Sequence, residues 1–230
     1  MLTPVDLQGR AGGRDIGLDR NVEIGAEPGA PKPIAMKVRL PAGAGVPAAG
    51  ADNVAGMSFP WQPANIRPHA AACLAYNVRF TESFDASHNG VLPSLEGANE
   101  AGDQRFSVSA AWLKSGESGL ASEIVLKRED GDAAPARIST AVESTETALP
   151  KGRWLRVNQE IALNTPGESD GIVRLWIDGK LVVDRTDVRL RSDKSVTFTG
   201  VAARAHMLGD TATPAQKDSS ITLTPFELMW

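Results

Sequence analysis

The stretch "VAARAHMLG", residues 201–209, carries a base and a cation two positions apart. On a β-strand that spacing puts Arg204 and His206 on one face, opposite Ala203, Ala205 and Met207. An imidazole works as a general base near neutral pH, and a guanidinium grips a carboxylate through two parallel hydrogen bonds. The pair is therefore the leading catalytic candidate. The plainer reading is two polar residues on a solvated sheet face.

Further candidates follow the same alternation. In "WLRVNQEIA", Leu155, Val157 and Ile161 fall on one face, while Arg156 and Asn158 share the other with Trp154 and Glu160. In "IVRLWID", Trp176 lies opposite Val173, Leu175 and Ile177. Arg156 and Asn158 are expected to bind substrate. Trp176 and Trp154 offer flat indoles for stacking on a pyranose, although aromatic residues more often pack under loops. Arg189 and Arg191 share a face if "DVRLRSD" is a strand; they suit carboxylate recognition, or the commoner task of blocking edge-to-edge aggregation. His88, beside Asn89 and Gly90, is a weaker substrate-binding candidate, and His69 has no nameable partner.

Metal chemistry and cofactors are not expected. The three histidines lack a zinc-type spacing, and the lone Cys73, among alanines and Leu74, reads as a small buried hydrophobe. Glu168 and Asp170 are weak evidence for calcium, since Asp170 and Asp178 each precede a glycine and fit turns.

These residues need a scaffold, and the pattern points to strands. The 230 residues include 22 Gly and 15 Pro, which favour many turns and short strands. "CLAYNVRF", "FSVSAAW" and "SEIVLKR" read as strands, with "KSGESG" turning the chain between the last two. Asp178-Gly179 reads as a type I′ hairpin turn, and Pro225 makes the last segment, "SSITLTPFELMW", an edge strand or a bent one. No convincing amphipathic helix interrupts this series. Residues 1–33 read as an irregular arm whose end pairs with a sheet, and 34–230 as a single all-β sandwich. A net charge of −4 supplies no basic field for nucleic acid. No apolar run is long enough for a membrane span. The N-terminus lacks the layout of a secretion signal, so the compartment stays open, secreted or periplasmic if a leader has been removed.

The ordered series "AYNVRF", "HNGVLPSLEG" and "LNTPGESDGIVRLWIDGKLVVD" resembles polysaccharide lyase family 14, over about residues 36–226. The resemblance implies a concanavalin-like β-jelly roll whose concave sheet faces an acidic polysaccharide such as alginate or glucuronan. It also implies β-elimination: one group neutralises the uronate carboxylate, a base removes the C5 proton, and an acid protonates the departing O4. In that scheme His206 is the base and Arg204 the carboxylate partner.

The chain departs from the family pattern. Where the family motif reads GGKLPGLYGG, its Lys position is held by Val91 and its Tyr position by Glu96; Ser109 stands where a strand arginine is expected. Tyr76 is the only tyrosine and falls on an apolar face. A non-catalytic glycan-binding or adhesion module on the same fold is the alternative. A glycoside hydrolase would need two carboxylates facing each other across a groove, for which Glu160 and Asp178 are the available pair.

Overall fold

The computed structural model of the chain describes residues 3–44, 55–63, 69–114, 150–208 and 215–230, and the backbone of 120–128. The "KSGESG" turn, the polar stretch after Arg128 and most of the small-residue loop before Gly56 lie largely outside the described residues.

Two antiparallel sheets enclose one core. The eight-stranded sheet runs β1 (Val22–Gly25), β2 (Ala35–Leu40), β12 (Ser219–Leu223), β4 (Ala71–Phe80), β8 (Trp154–Ala162), β9 (Gly171–Ile177) and β10 (Lys180–Val188), with β13 (Glu227–Met229) also paired to β4. The five-stranded sheet runs β3 (Gly56–Trp61), β11 (Thr197–Met207), β5 (Gly90–Ala98), β6 (Gln104–Trp112) and β7 (Leu120–Arg128). The expected all-β jelly-roll sandwich is thus the observed architecture, and among the described residues no helix is long and apolar enough to cross a membrane.

Alternation explains which side chains enter the core. Leu74, Tyr76, Val78 and Phe80 of β4 are buried, as are Phe106, Val108, Ala110 and Trp112 of β6. Trp112 packs directly over Gly90, where an added Cβ would lie 1.9 Å from the indole, so β5 starts with glycine for want of space. At the β9–β10 turn both Asp178 (φ 51°) and Gly179 (φ 79°) take left-handed backbone, as a type I′ turn requires. Pro225 breaks the last segment into β12 and β13. β12 is nonetheless interior, between β2 and β4.

Residues 3–33 are not irregular throughout. Helix α1 (Pro4–Ala11) starts at a capping box formed by Thr3 and Asp6, and α2 (Leu18–Asn21) follows. Leu7, Ala11 and Leu18 join the core, apolar residues too sparse to show a period in the sequence. Between the helices Ile16 exchanges main-chain hydrogen bonds with Ser58 of β3, at 2.8 and 2.9 Å. The segment is thereby tied to the edge of the five-stranded sheet.

Candidate functional site

The face of the five-stranded sheet that turns away from the core is set by register. Arg204 pairs with Ser58, and His206 with Gly56 on one side and Val91 on the other. Ser94 pairs with Ala202 and Ser109, and Glu96 with Gly200 and Ser107. Cross-strand partners share a face. Val91, Glu96 and Ser109, aligned above with the family's Lys, Tyr and Arg positions, therefore lie on the same side as Arg204 and His206.

Each polar group here has a definite state. Arg204 Nη1 donates to Ser107 Oγ at 3.2 Å. His206 Nδ1 lies 2.9 Å from the carbonyl oxygen of Met207. A carbonyl only accepts, so Nδ1 carries the proton and Nε2 keeps a lone pair. Burial, with a smaller effect of the Arg204 charge, brings the His206 pKa down to about 4, and the ring is neutral at physiological pH. Burial also raises the Glu96 carboxyl above its ordinary range, against the opposing charges of Arg204, Arg105 and Arg14. Among the described residues, the hydroxyls of Ser94 and Ser109 are buried without a hydrogen-bond partner.

A cavity of about 590 Å³ lies over one end of this face. Arg14, Arg105, Arg204, Glu96, Glu100 and Ser107 are among its lining residues. Among the described residues no three metal-ligating side chains come together.

The other expected site residues lie elsewhere. Arg156, Asn158 and Trp176 occupy the outer face of the eight-stranded sheet, where Asn158 pairs with Trp176. Arg156 is already paired there with Glu227, at 2.6 Å. With sheets stacked about 10 Å apart and the core between them, one ligand cannot contact both outer faces. Arg189 and Arg191 lie beyond the end of β10, not on a strand. Arg189 is exposed, and Arg191 braces a loop by donating to the carbonyls of Asn164 (2.9 Å) and Val196 (3.1 Å). His88 sits in the turn before β5, its Nδ1 2.8 Å from Ser87 Oγ. Trp154 lies on the outer face of the eight-stranded sheet under the Arg79 guanidinium, 5.0 Å from the ring centre. Glu160 pairs with Arg174, and Asp178 with Arg153 and the Arg156 amide, so these carboxylates do not face each other across a groove.

The sequence reading missed Arg14 and Arg105. "AGGRDIG" has no periodicity to show that Arg14 returns to the sheet. Arg105 does continue the outward series Arg105, Ser107, Ser109, a signal that was present in the alternation.

A model of the polysaccharide lyase 14 family matches residues 30–222. The chain belongs to that family. The fold is shared with a polysaccharide lyase 14 alginate lyase from Aplysia kurodai (TM-score 0.73, 19% identity, covering 94% of this chain and 88% of that one). It is also shared with an alginate lyase from Chlorella virus (TM-score 0.71, 16% identity, covering 97% and 96%). An endo-β-1,4-glucuronan lyase from Trichoderma reesei is more distant (TM-score 0.51, 12% identity, covering 90% and 85%). A search of curated proteins by sequence finds no significant match. Membership in the family makes the protein polysaccharide-lyase-like and carbohydrate-active in kind.

Proposed function

We propose that the protein binds a uronic-acid polysaccharide along the outer face of the five-stranded sheet, with Arg204 holding a carboxylate. The observation that carries this reading is the position of Arg204: half-buried, held by Ser107, and lining the cavity on that face. The solved structures named above that share its fold include lyases of alginate and glucuronan, both polyuronates. Binding without cleavage is favoured because Val91 and Ser109 bring no cation to the carboxylate, while Tyr76 is buried in the core.

A second reading, β-elimination, is favoured by one feature. His206 presents an unprotonated Nε2 next to Arg204 on the same face, two strand residues or roughly 6 to 7 Å along. In that scheme Arg204 neutralises the carboxylate, Nε2 takes the C5 proton, and the imidazolium so formed returns it to the departing O4 as the C4–O4 bond breaks and the C4–C5 double bond forms.

Calorimetric titration with alginate and glucuronan oligosaccharides, run beside ultraviolet detection of the unsaturated uronate, tests both. Binding with no absorbance change is the expected result. Absorbance growth with a polyuronate establishes the second reading, and neither heat nor absorbance with any polyuronate defeats both.

A further inference from the structure

The cavity over the five-stranded sheet collects cations from three separate parts of the chain. Arg14 comes from the segment between α1 and α2, outside residues 30–222, and its place is fixed two residues later by the Ile16 to Ser58 bridge. Arg204 stands beside Ser58 on the neighbouring strand. Arg105 is the second residue of β6, next to the hairpin turn, and its Nε donates to the Gly102 carbonyl at 2.7 Å. All three line the cavity and all three act electrostatically on Glu96.

Among the described residues none of these guanidinium groups sits in an ion pair. Arg14 Nε donates to the Ala11 carbonyl at 3.2 Å and Arg204 to Ser107, so each keeps donors free for a ligand. This differs from the opposite face of the sandwich, where Arg156, Arg174 and Arg79 are each matched by a carboxylate.

We propose that Arg14, Arg105 and Arg204 form a carboxylate subsite that holds the charged group of one uronate unit, a deepening of the polysaccharide reading on which it rests. The charge balance sets the ligand class. Among the described lining residues, three guanidinium groups against Glu96 and Glu100 leave one net positive charge with both carboxyls ionised, which suits a monoanion. A guanidinium fork matches the planar carboxylate in two parallel bonds, and a cavity of about 590 Å³ has room for the sugar ring that carries it. Because Arg14 belongs to the N-terminal segment, that segment contributes to recognition as well as to the core.

Free glucuronate, glucose 6-sulfate and glucose, titrated by NMR against the wild-type chain with arginine Nε–H resonances as readout, test the subsite apart from the polymer. Glucuronate is expected to shift the signals of Arg14, Arg105 and Arg204, and glucose is not. Alginate oligosaccharide affinity is expected to fall about two- to fivefold in Arg14→Ala and in Arg105→Ala, both exposed and therefore screened. It should fall about tenfold or more in the half-buried Arg204→Ala. Glucuronate shifts in a protein that ignores the oligosaccharide would uphold the subsite and defeat the polymer reading. Oligosaccharide binding unchanged in Arg14→Ala and Arg105→Ala would defeat the subsite alone, as would a stronger response to glucose 6-sulfate than to glucuronate. No response to any of the ligands overturns both.

Discussion

The hydroxyl of Tyr76, buried in the core on β4, donates across the sandwich to the main-chain carbonyl of Pro93 on β5, 3.1 Å away. β5 is bulged at this point, its register with both neighbours shifting between Val91 and Ser94. A bulge leaves main-chain groups outside the ladder, and a buried carbonyl needs a donor. Tyr76 therefore serves the shape of the strand that carries Ser94 and Glu96, and takes no part in chemistry on the outer face. Tyr76→Phe is expected to lower stability by about 1–3 kcal/mol, the penalty of an unsatisfied buried carbonyl. Ligand affinity should stay at the wild-type value. Denaturant unfolding beside calorimetric titration checks both; a selective loss of binding in a folded variant would place Tyr76 in the ligand site after all.

Gln159 of β8 does the same work beside it. Its Oε1 accepts from the Leu95 amide at 3.1 Å and its Nε2 donates to the Val108 carbonyl at 2.6 Å, all inside the core. Gln159→Leu keeps the volume near its own and removes both bonds, leaving a buried donor and acceptor unpaired. A loss of about 2–4 kcal/mol is expected, at about 1–2 for each orphaned group. Hydrogen exchange at the Leu95 amide should accelerate beyond the global change. Unchanged protection there would show that another group satisfies the amide.

These two residues mark the limit of what the sequence made legible. Alternation placed Tyr76 on the apolar face of β4 correctly, and gave the inward and outward sets of β8 and β9, because a period of two depends only on the local chain. It could not say which sheet a strand joins. Arg156, Asn158 and Trp176 have the same outward signature as Arg204 and His206, yet the two sets face opposite sides of the core. That difference is a property of strand order, fixed by pairings between residues far apart in sequence. Arg14 was illegible for a related reason: its place depends on one bridge between Ile16 and Ser58.

His206 and Arg204 separate the two readings of the outer face through kinetics. If elimination of a polyuronate occurs, His206→Ala should lower kcat by roughly 10² to 10⁴ with KM little changed, as for a lost general base. Arg204→Ala should raise KM as well, because it meets the carboxylate before the proton is taken. The imidazole must be neutral to act, so the rate should climb as pH rises through about 4 and then level toward neutral pH. Full turnover by His206→Ala on a cleaved substrate would remove it as the base. The exposed Lys194 would then be the next base to examine.

Glu96 makes both stability and binding on this face depend on pH, the stability in the direction opposite to an ion-paired carboxylate. Burial favours its neutral form, so its folded pKa lies above the unfolded value. Its contribution to stability is present in full below the unfolded pKa and is lost as pH rises through the folded one. An anionic ligand set among Arg14, Arg105 and Arg204 repels an ionised Glu96, so binding is coupled to uptake of a proton. Affinity for an oligouronate should therefore rise as pH falls from neutral toward the Glu96 pKa, and fail only once the ligand carboxylates themselves protonate, at about 3.5. Glu96→Gln removes the charge with nearly the same shape. The variant is expected to show a higher Tm than wild type at pH 8, a difference that shrinks by pH 4, together with tighter binding at neutral pH and a flatter pH profile. Calorimetry and thermal unfolding at several pH values read both effects. Weaker binding by Glu96→Gln at neutral pH would mean that the carboxylate accepts hydrogen bonds from sugar hydroxyls, and that its charge contributes more to holding the ligand than to repelling it.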